Sequence, residues 1–281
     1  MFYTILNLNY VVLAAGIERI GLDQMSSKLG IVVLGPYRSG TSVTAQVLKA
    51  LGVDFGPKRH MIPASRQNPG GFFERKDIND ANNALIHSAG ATLADPGDPR
   101  LLSTRGNPQT LTCADLSWLT STRCWGIKDP RMCATLLAWI EFGVLNADAL
   151  RIVHVRRNLD AAVRSGMAFD SIRAFCDGTE PGVRAMLDRY AVLAQWHVDS
   201  LRLPVHTLDY EYLVKDPSAV DGLAEFLGVA DPRQIRRAVS LVGKGKGVFA
   251  LQMERLFIRA PRRLFNLLAR RNSDDSLNAG T

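Results

Sequence analysis

The sequence predicts an α/β fold with a central parallel sheet and helices on both faces. Short apolar runs alternate with helical patterns along the chain, which is the pattern of such folds. The predicted strands lie near 30–35, 124–128, 150–155 and 204–208, and the predicted helices near 41–51, 79–89, 132–141, 159–175, 183–201, 217–227 and 232–242. The stretch 95–112, rich in Pro, Gly and Thr, is predicted to be a mobile loop or an insertion on the acceptor side.

A glycine-bounded loop follows the first predicted strand, in the octet Gly35-Pro-Tyr-Arg-Ser-Gly-Thr-Ser42. Nucleotide-binding P-loops have the pattern G-x-x-x-x-G-K-[ST], but here Thr41 occupies the lysine position. That lysine contacts the β- and γ-phosphates, so its absence disfavours ordinary triphosphate chemistry. Arg38 supplies the cation instead. A strand, a glycine-bounded loop and a helix N-terminus predict a P-loop-type sheet with an anion bound at this loop.

The octet and its flanks resemble the 5′-phosphosulfate loop of sulfotransferases, in the bacterial branch with the sequence Arg-Ser-Gly-Thr-Ser. Members of this family use 3′-phosphoadenosine 5′-phosphosulfate (PAPS) as donor. The resemblance implies that the phosphosulfate contacts Arg38, Ser39, Gly40, Thr41 and Ser42. Arg38 keeps the charge, but not the shape, of the lysine that is usual in the animal cytosolic enzymes.

The donor's 3′-phosphate needs a second anion site, and the segment after the predicted strand 150–155 is the candidate. The family places an arginine at the strand end and a serine eight residues later, which is the spacing of Arg157 and Ser165. The position of the family's aspartate selects Arg156 instead, with Arg164 at the serine position. Both arginines stay candidates, since a guanidinium pairs bidentately with phosphate.

Further matches keep the motif order of the family from about residue 29 to residue 230. The stretch 68–74 resembles its Asn-Pro-x-Gly-(Tyr/Phe)-Phe-Glu segment, and 125–131 resembles its Lys-Asp-Pro-Arg segment. The stretch 208–213 resembles the late strand with a tyrosine–glutamate pair near the adenine. The resemblance therefore makes Tyr210 a candidate contact of the adenine.

The family resemblance implies in-line transfer of a sulfuryl group from PAPS to a hydroxyl of a small-molecule or carbohydrate acceptor. Positioning and electrostatic stabilisation dominate such a reaction. Lys128, at a predicted strand end, is the candidate for stabilising the bridging oxygen and the leaving group, and Arg38 for neutralising the transferring group.

The base that removes the acceptor's proton is expected to be Glu74. A carboxylate beside Phe72 and Phe73 is suited to proton abstraction. Cytosolic members have a histidine just after the lysine, and this chain lacks it. Asp129 and His60 are therefore the reserve candidates.

Cysteine and histidine usage predicts a cytoplasmic protein without a metal site. The cysteines, which form no C-x-x-C, are predicted to be reduced, buried thiols: Cys113, Cys124, Cys133 and Cys176. His154, inside an apolar run, is predicted to be a core residue with its hydrogen bonds satisfied. No His, Cys, Asp and Glu cluster has ligand spacing, and the expected mechanism needs no metal.

One sulfotransferase domain is predicted over 29–250, between an N-terminal extension (1–28) and a basic amphipathic tail (251–281). The extension makes a poor signal peptide and is short for a membrane span; Met25 is an alternative start. For the tail, packing on its own domain is favoured over peripheral contact with an anionic membrane.

Three further classes of function are weighed on the charge balance and on the loop residues. An excess of 34 Lys+Arg over 27 Asp+Glu gives a net charge of +7, which suits an anionic donor. Nucleic-acid binding is not expected, because no reader motif or aromatic–basic interleaving accompanies the charge. A P-loop kinase acting on a small molecule stays an alternative, disfavoured by Thr41. A non-catalytic anion- or membrane-binding protein is the other.

Overall fold

A computed structural model describes residues 28–65 and 68–242, and the described chain contains one four-stranded sheet. The strands are β1 (Leu29–Leu34), β2 (Cys124–Lys128), β3 (Leu150–Arg156) and β4 (Val205–Asp209). Their order is β2-β1-β3-β4, and every pairing is parallel. The sheet therefore needs a crossover connection between each pair of consecutive strands.

Helices make these connections. They are α1 (Thr41–Ala50), α2 (Lys76–Ser88), α3 (Pro99–Arg105), α4 (Met132–Glu141), α5 (Leu159–Met167), α6 (Asp170–Phe175), α7 (Glu180–Ser200), α8 (Tyr210–Lys215), α9 (Ala219–Leu227) and α10 (232–242). Short 3₁₀ turns lie at Lys58–His60, Pro108–Cys113, Ser117–Thr120 and Ala147–Ala149.

Two hydrophobic cores lie on opposite faces of the sheet. Successive side chains of a strand point to opposite faces, so β1 contributes to both cores. Val32 and Leu34 pack with α2, α4, α5 and α7, whereas Ile31 and Val33 pack with α1, α9 and α10. The predicted α/β fold, with a parallel sheet and helices on both faces, is confirmed.

The predicted strands agree with the structure to within one residue at each end, but the single helix over 159–175 and the plain loop over 95–112 are wrong. The single helix predicted over 159–175 is two helices, because Phe169 has extended backbone and its ring packs on Arg38. The stretch 95–112 is not a plain loop: it contains α3 and most of a 3₁₀ turn. Asp98 and Asn107 cap these segments through the amides of residues two positions later.

The predicted N-terminal extension, apart from residue 28, and the predicted tail lie outside the described residues. Residues 243–250 of the predicted domain do so as well. Among the described helices, none combines the length and the apolar character that a membrane span requires.

The four cysteines are all free thiols, but the prediction that they are buried is wrong for Cys113, which is exposed. It lies at the end of the 3₁₀ turn Pro108–Cys113, on the segment whose helical structure the sequence reading missed. Cys124 and Cys176 are half-buried, and only Cys133 is fully enclosed.

Two histidines are buried in the core. His197 bridges two helices: its Nδ1 donates to the carbonyl of Leu193 at 3.0 Å, and its Nε2 accepts from the amide of Leu137 at 3.1 Å. His154 lies in β3 as predicted, but its Nδ1 has no hydrogen-bond partner among the described residues. Burial lowers the pKa of each imidazole to about 4, so both are neutral at pH 7.

We expect the free energy of unfolding to fall as the pH drops from about 6.5 toward 4. The unfolded histidines bind protons in this range whereas the folded ones do not, so protonation favours unfolding. The shift from 6.5 to about 4 corresponds to a loss of roughly 3 kcal/mol for each histidine at the acid end. Urea unfolding of wild type and His197→Gln between pH 7 and 4 measures this loss.

His197→Gln should show a shallower pH dependence than wild type. His87→Gln is the matched control, because His87 is exposed on α2. Parallel pH profiles for wild type and His197→Gln would contradict the prediction, even if the variant is less stable throughout.

Candidate active site

The carboxyl ends of β1 and β3 lie side by side, with Val33 opposite Val153 and Leu34 opposite His154. From β1 the chain crosses to β2 on one side and then returns to β3 on the other, so the strand order reverses between β1 and β3. Open α/β sheets bind ligands at such a reversal. A cavity of about 500 Å³ opens here, a volume typical of a small-molecule site.

The walls of this cavity carry mostly positive charge. Its charged lining residues are Arg38, Lys128, Arg131, Arg157 and, as the single carboxylate, Glu74. Four cations against one carboxylate favour an anionic ligand. The remaining wall is largely aromatic and aliphatic, from the loop after β1, the segment 68–72, α6 and Tyr210.

The N-terminus of α1 opens into the cavity. Gly40 precedes the helix with φ of 97° and no side chain to cap it. The amides of Thr41, Ser42 and Val43 donate to no acceptor among the described residues, as expected for the first turn of a helix. Three unpaired N–H groups and the helix dipole therefore face the cavity and can bind an anion.

The loop after β1 is held from α4 by a thiol. The amide of Gly35 donates to Sγ of Cys133 at 3.2 Å. Burial raises the pKa of Cys133 to about 12, so the thiol is protonated at neutral pH. The sequence reading missed this contact, since nothing local connects two residues 98 positions apart.

Of the five residues predicted to contact the phosphosulfate, Ser39 is the one that does not line the cavity. It is fully buried, its hydroxyl has no partner among the described residues, and its amide donates to the carbonyl of Pro36 at 3.2 Å. The structure therefore separates Ser39 from Arg38, Gly40, Thr41 and Ser42, which all line the cavity.

Arg38 is held rigidly in a left-handed backbone conformation, with φ of 66°. Its Nε donates to Oγ of Ser165 on α5 at 3.0 Å, and its guanidinium lies 3.7 Å from the centre of the Phe169 ring. Burial and the neighbouring charge of Arg157 lower the pKa of Arg38 to about 10. It remains a cation at pH 7, and a bound anion would offset both effects.

The two candidate arginines after β3 lie in different places. Nη1 of Arg157 donates to the carbonyl of Arg38 at 2.7 Å, and its guanidinium lies 4.6 Å from the centre of the Tyr210 ring. Burial lowers the pKa of Arg157, which lines the cavity. Arg156 is half-exposed and forms a bidentate pair with Asp209 outside the cavity, at 3.1 and 3.0 Å.

In the first of the two spacings, Arg157 and Ser165 both contact Arg38, but only Arg157 lines the cavity, since Ser165 is buried behind Arg38. The second spacing, Arg156 with Arg164, places both residues away from the cavity lining, and Arg164 is exposed.

Lys128 and Glu74 form a buried ion pair at the end of β2. Nζ of Lys128 also donates to Oγ of Ser42 at 3.3 Å. Ser42 in turn donates to the carbonyl of Phe72 at 3.4 Å and accepts from Nδ2 of Asn68 at 3.3 Å. The first turn of α1, the segment 68–74 and β2 therefore meet at this one hydroxyl.

The reserve candidates for the base do not line the cavity. Asp129 is 1% exposed, and both its oxygens accept hydrogen bonds, from Asn79, Asn82 and the amide and Nη1 of Arg131. His60 accepts from Nε of Arg59 at 3.0 Å and lies near Asp115. Of the carboxylates and histidines that the sequence singled out as bases, only Glu74 reaches the cavity.

Comparisons with known proteins add no family: no protein-family model matches the chain, and a search of curated proteins finds no match. Among the described residues, no group of three or more His, Cys, Asp or Glu side chains is placed to hold a metal ion.

We expect Gly40→Ala to destabilise the protein more than Gly90→Ala. Both glycines have positive φ, 97° and 79°, so both alanines carry backbone strain of about 1–2 kcal/mol. A Cβ on Gly40 would lie 2.1 Å from Cδ2 of Tyr210, whereas nothing lies within 4 Å of one on Gly90. Urea unfolding of the two variants measures the difference.

The excess cost of Gly40→Ala should largely vanish in a Tyr210→Ala background, because the clash partner is then gone. An undiminished cost in the double variant would show that contact with Tyr210 is not the cause.

Proposed function

We propose that this protein is a P-loop-type sulfotransferase that moves the sulfuryl group of PAPS to the hydroxyl of a small-molecule acceptor. The observation that carries the proposal is the coupling of two anion sites across the β1/β3 edge. Arg38 and the amides of α1 form one, and Arg157 forms the other. The hydrogen bond from Arg157 to the carbonyl of Arg38 joins them.

PAPS has anionic groups on both its 5′ and 3′ carbons, which suits this two-part arrangement. The 5′-phosphosulfate would bind at the N-terminus of α1, where Arg38, Gly40, Thr41 and Ser42 line the wall. The 3′-phosphate would bind Arg157, and Ser165 would act through Arg38, from whose Nε it accepts a hydrogen bond. Tyr210, stacked on Arg157 and packed against Gly40, supplies an aromatic surface for the adenine.

The position of the lysine supports sulfuryl transfer over triphosphate chemistry. Thr41 stands where ATP- and GTP-binding P-loops have their lysine, directly before the final hydroxyl residue of the loop. The ammonium group of this site comes instead from Lys128 at the end of β2, which donates to Ser42. This ammonium group lies beside Glu74, with which it forms an ion pair.

In the proposed reaction the acceptor oxygen attacks sulfur, and the bond from sulfur to the 5′-phosphate oxygen breaks. The acceptor's proton passes to Glu74, and 3′-phosphoadenosine 5′-phosphate (PAP) leaves. Negative charge that builds on the bridging oxygen is stabilised by Lys128, and charge on the sulfuryl oxygens by Arg38. Both cations are held in advance by Ser42 and Ser165, so little reorganisation is needed.

Glu74 is the proposed base because of its place in the cavity. It is 8% exposed, lines the cavity and contacts Lys128. The preceding Phe73 has a left-handed backbone, with φ of 56°, which turns the chain inward at this point. When the negative charge of the bound donor attracts Lys128, the ion pair of Lys128 with Glu74 weakens, and the carboxylate can accept a proton.

Calorimetric titration with PAP, ADP and ATP tests the donor site. We expect PAP to bind at least about tenfold more tightly than ADP, because a charge-assisted contact contributes about 1.5–3 kcal/mol. Arg157→Ala should remove this preference. Arg156→Ala is the matched control and should keep it, since Arg156 pairs with Asp209 outside the cavity. Tighter binding of ATP would favour a kinase, and equal or absent binding of all three would defeat the proposal.

Glu74→Gln should lower kcat at least about 100-fold while PAP still binds, because general bases contribute about 10²–10⁴ in rate. Transfer of labelled sulfate from PAPS to an acceptor found by screening hydroxyl compounds measures the rate. His60→Gln is the control and should transfer at the wild-type rate. If His60→Gln were inactive and Glu74→Gln transferred at the wild-type rate, His60 would replace Glu74 as the base.

A further inference from the structure

Arg131 is a buried cation of the cavity wall that the proposed donor site does not use. It lies three residues after Lys128 and is 6% exposed. Its Nε donates to Oδ1 of Asn83, and its Nη1 donates to Oδ1 of Asp129 at 3.0 Å. Its Nη2 donates to no group in the described part of the chain. Nη2 is not enclosed by protein atoms, so it is open to the cavity and can donate to an anionic ligand there.

A buried network fixes the guanidinium in this position. Asp129 accepts from Nδ2 of Asn79 at 2.7 Å and from Nδ2 of Asn82 at 2.9 Å, in addition to its bonds with Arg131. The side-chain oxygen of Asn82 accepts from Thr135 and Trp139, both at 2.7 Å. Arg131 therefore cannot turn toward another partner, and its free edge is preorganised for binding.

Apolar rings surround this free edge. The Arg131 guanidinium lies 5.7 Å from the Tyr37 ring centre and 5.8 Å from that of Phe175, and the two rings are 5.6 Å apart. Ile172 continues the same wall along α6. These rings and Ile172 offer a surface on which a flat apolar body would be well packed.

We propose that the acceptor is an anionic hydroxy compound with a flat apolar body, and that Arg131 binds its negative group. The inference rests on the proposed function, because it names the substrate class of the same cavity. The donor's charged groups already have Arg38, the α1 amides, Lys128 and Arg157, which leaves Arg131 for the acceptor. Glu74 lies close enough to raise the pKa of Arg131, as Asp129 and Tyr37 do, although burial opposes its charge. Glu74, the proposed base, and Arg131 both line this cavity.

Three matched phenols test the proposal: 4-hydroxybenzoate, 4-methylphenol and tyramine, which are anionic, neutral and cationic. Each is titrated into the protein saturated with PAP, and its binding is followed by ligand-observed NMR. We expect the dissociation constant of 4-hydroxybenzoate to be at least about tenfold lower than that of 4-methylphenol, with tyramine weakest. In Arg131→Gln the ratio should fall to near one.

Arg173→Gln is the matched control, since Arg173 lies on α6 and pairs with Asp170 at the surface. It should keep the ratio of wild type. If Arg131→Gln does not fold, the ranking of the three phenols on the wild-type protein still tests whether the acceptor is anionic, and Arg131→Lys tests the part played by Arg131. Arg131→Lys, which keeps the charge but not the planar fork, should give an intermediate ratio.

The outcomes separate the two proposals. Failure of PAP to bind would defeat the sulfotransferase proposal itself. Binding of PAP, combined with equal affinities for the three phenols or with no binding of any, would overturn only the inference about the acceptor. A loss of PAP affinity in Arg131→Gln without a change in the phenol ratio would also overturn it, because Arg131 would then serve the donor.

Discussion

The parallel pairing of β1 with both β2 and β3 is the constraint on which the site depends. Parallel strands in register end at one edge of the sheet, so the loop after β1, Lys128 at the end of β2 and Arg157 after β3 reach the same space. Both faces of β1 are buried, which holds its register firmly: a slip by one residue would exchange the side chains of two different cores.

Four cationic side chains line the cavity, and each has a different set of contacts. Lys128 pairs with Glu74, and Arg131 with Asp129. Arg38 lies between a serine hydroxyl and a phenyl ring, and Arg157 between a carbonyl oxygen and a tyrosine ring. Buried ion pairs add little net stability, but removing one partner is costly. These contacts therefore fix the positions of the charges more than they stabilise the fold.

Backbone strain is concentrated at the same place. Of the three non-glycine residues with positive φ in the described chain, Arg38 and Phe73 flank the cavity, whereas Arg202 lies before β4. Such conformations persist only where the surroundings hold them, and they are typical of functional sites. Here Ser165 holds Arg38, and the packing of Phe73 against Phe55 supports the turn before Glu74.

Local patterns in the sequence were enough to predict the strands and the glycine-bounded loop, because apolar runs, glycine spacing and helix starts are encoded by neighbouring residues. The loop pattern brought Arg38 forward as a candidate, and the segments that resemble sulfotransferase motifs brought Glu74 and Lys128 forward. They did not distinguish Arg156 from Arg157, since adjacent residues at a strand end differ only in the direction their side chains take. The pairing of Arg156 with Asp209 on β4 and of Arg157 with the loop after β1 separates them. Other contacts of the site also join residues that are distant in sequence. They are the thiol of Cys133 with the Gly35 amide, the Phe169 ring with Arg38, and Arg131 with Asn83. Only the packing of the folded chain brings these residues together.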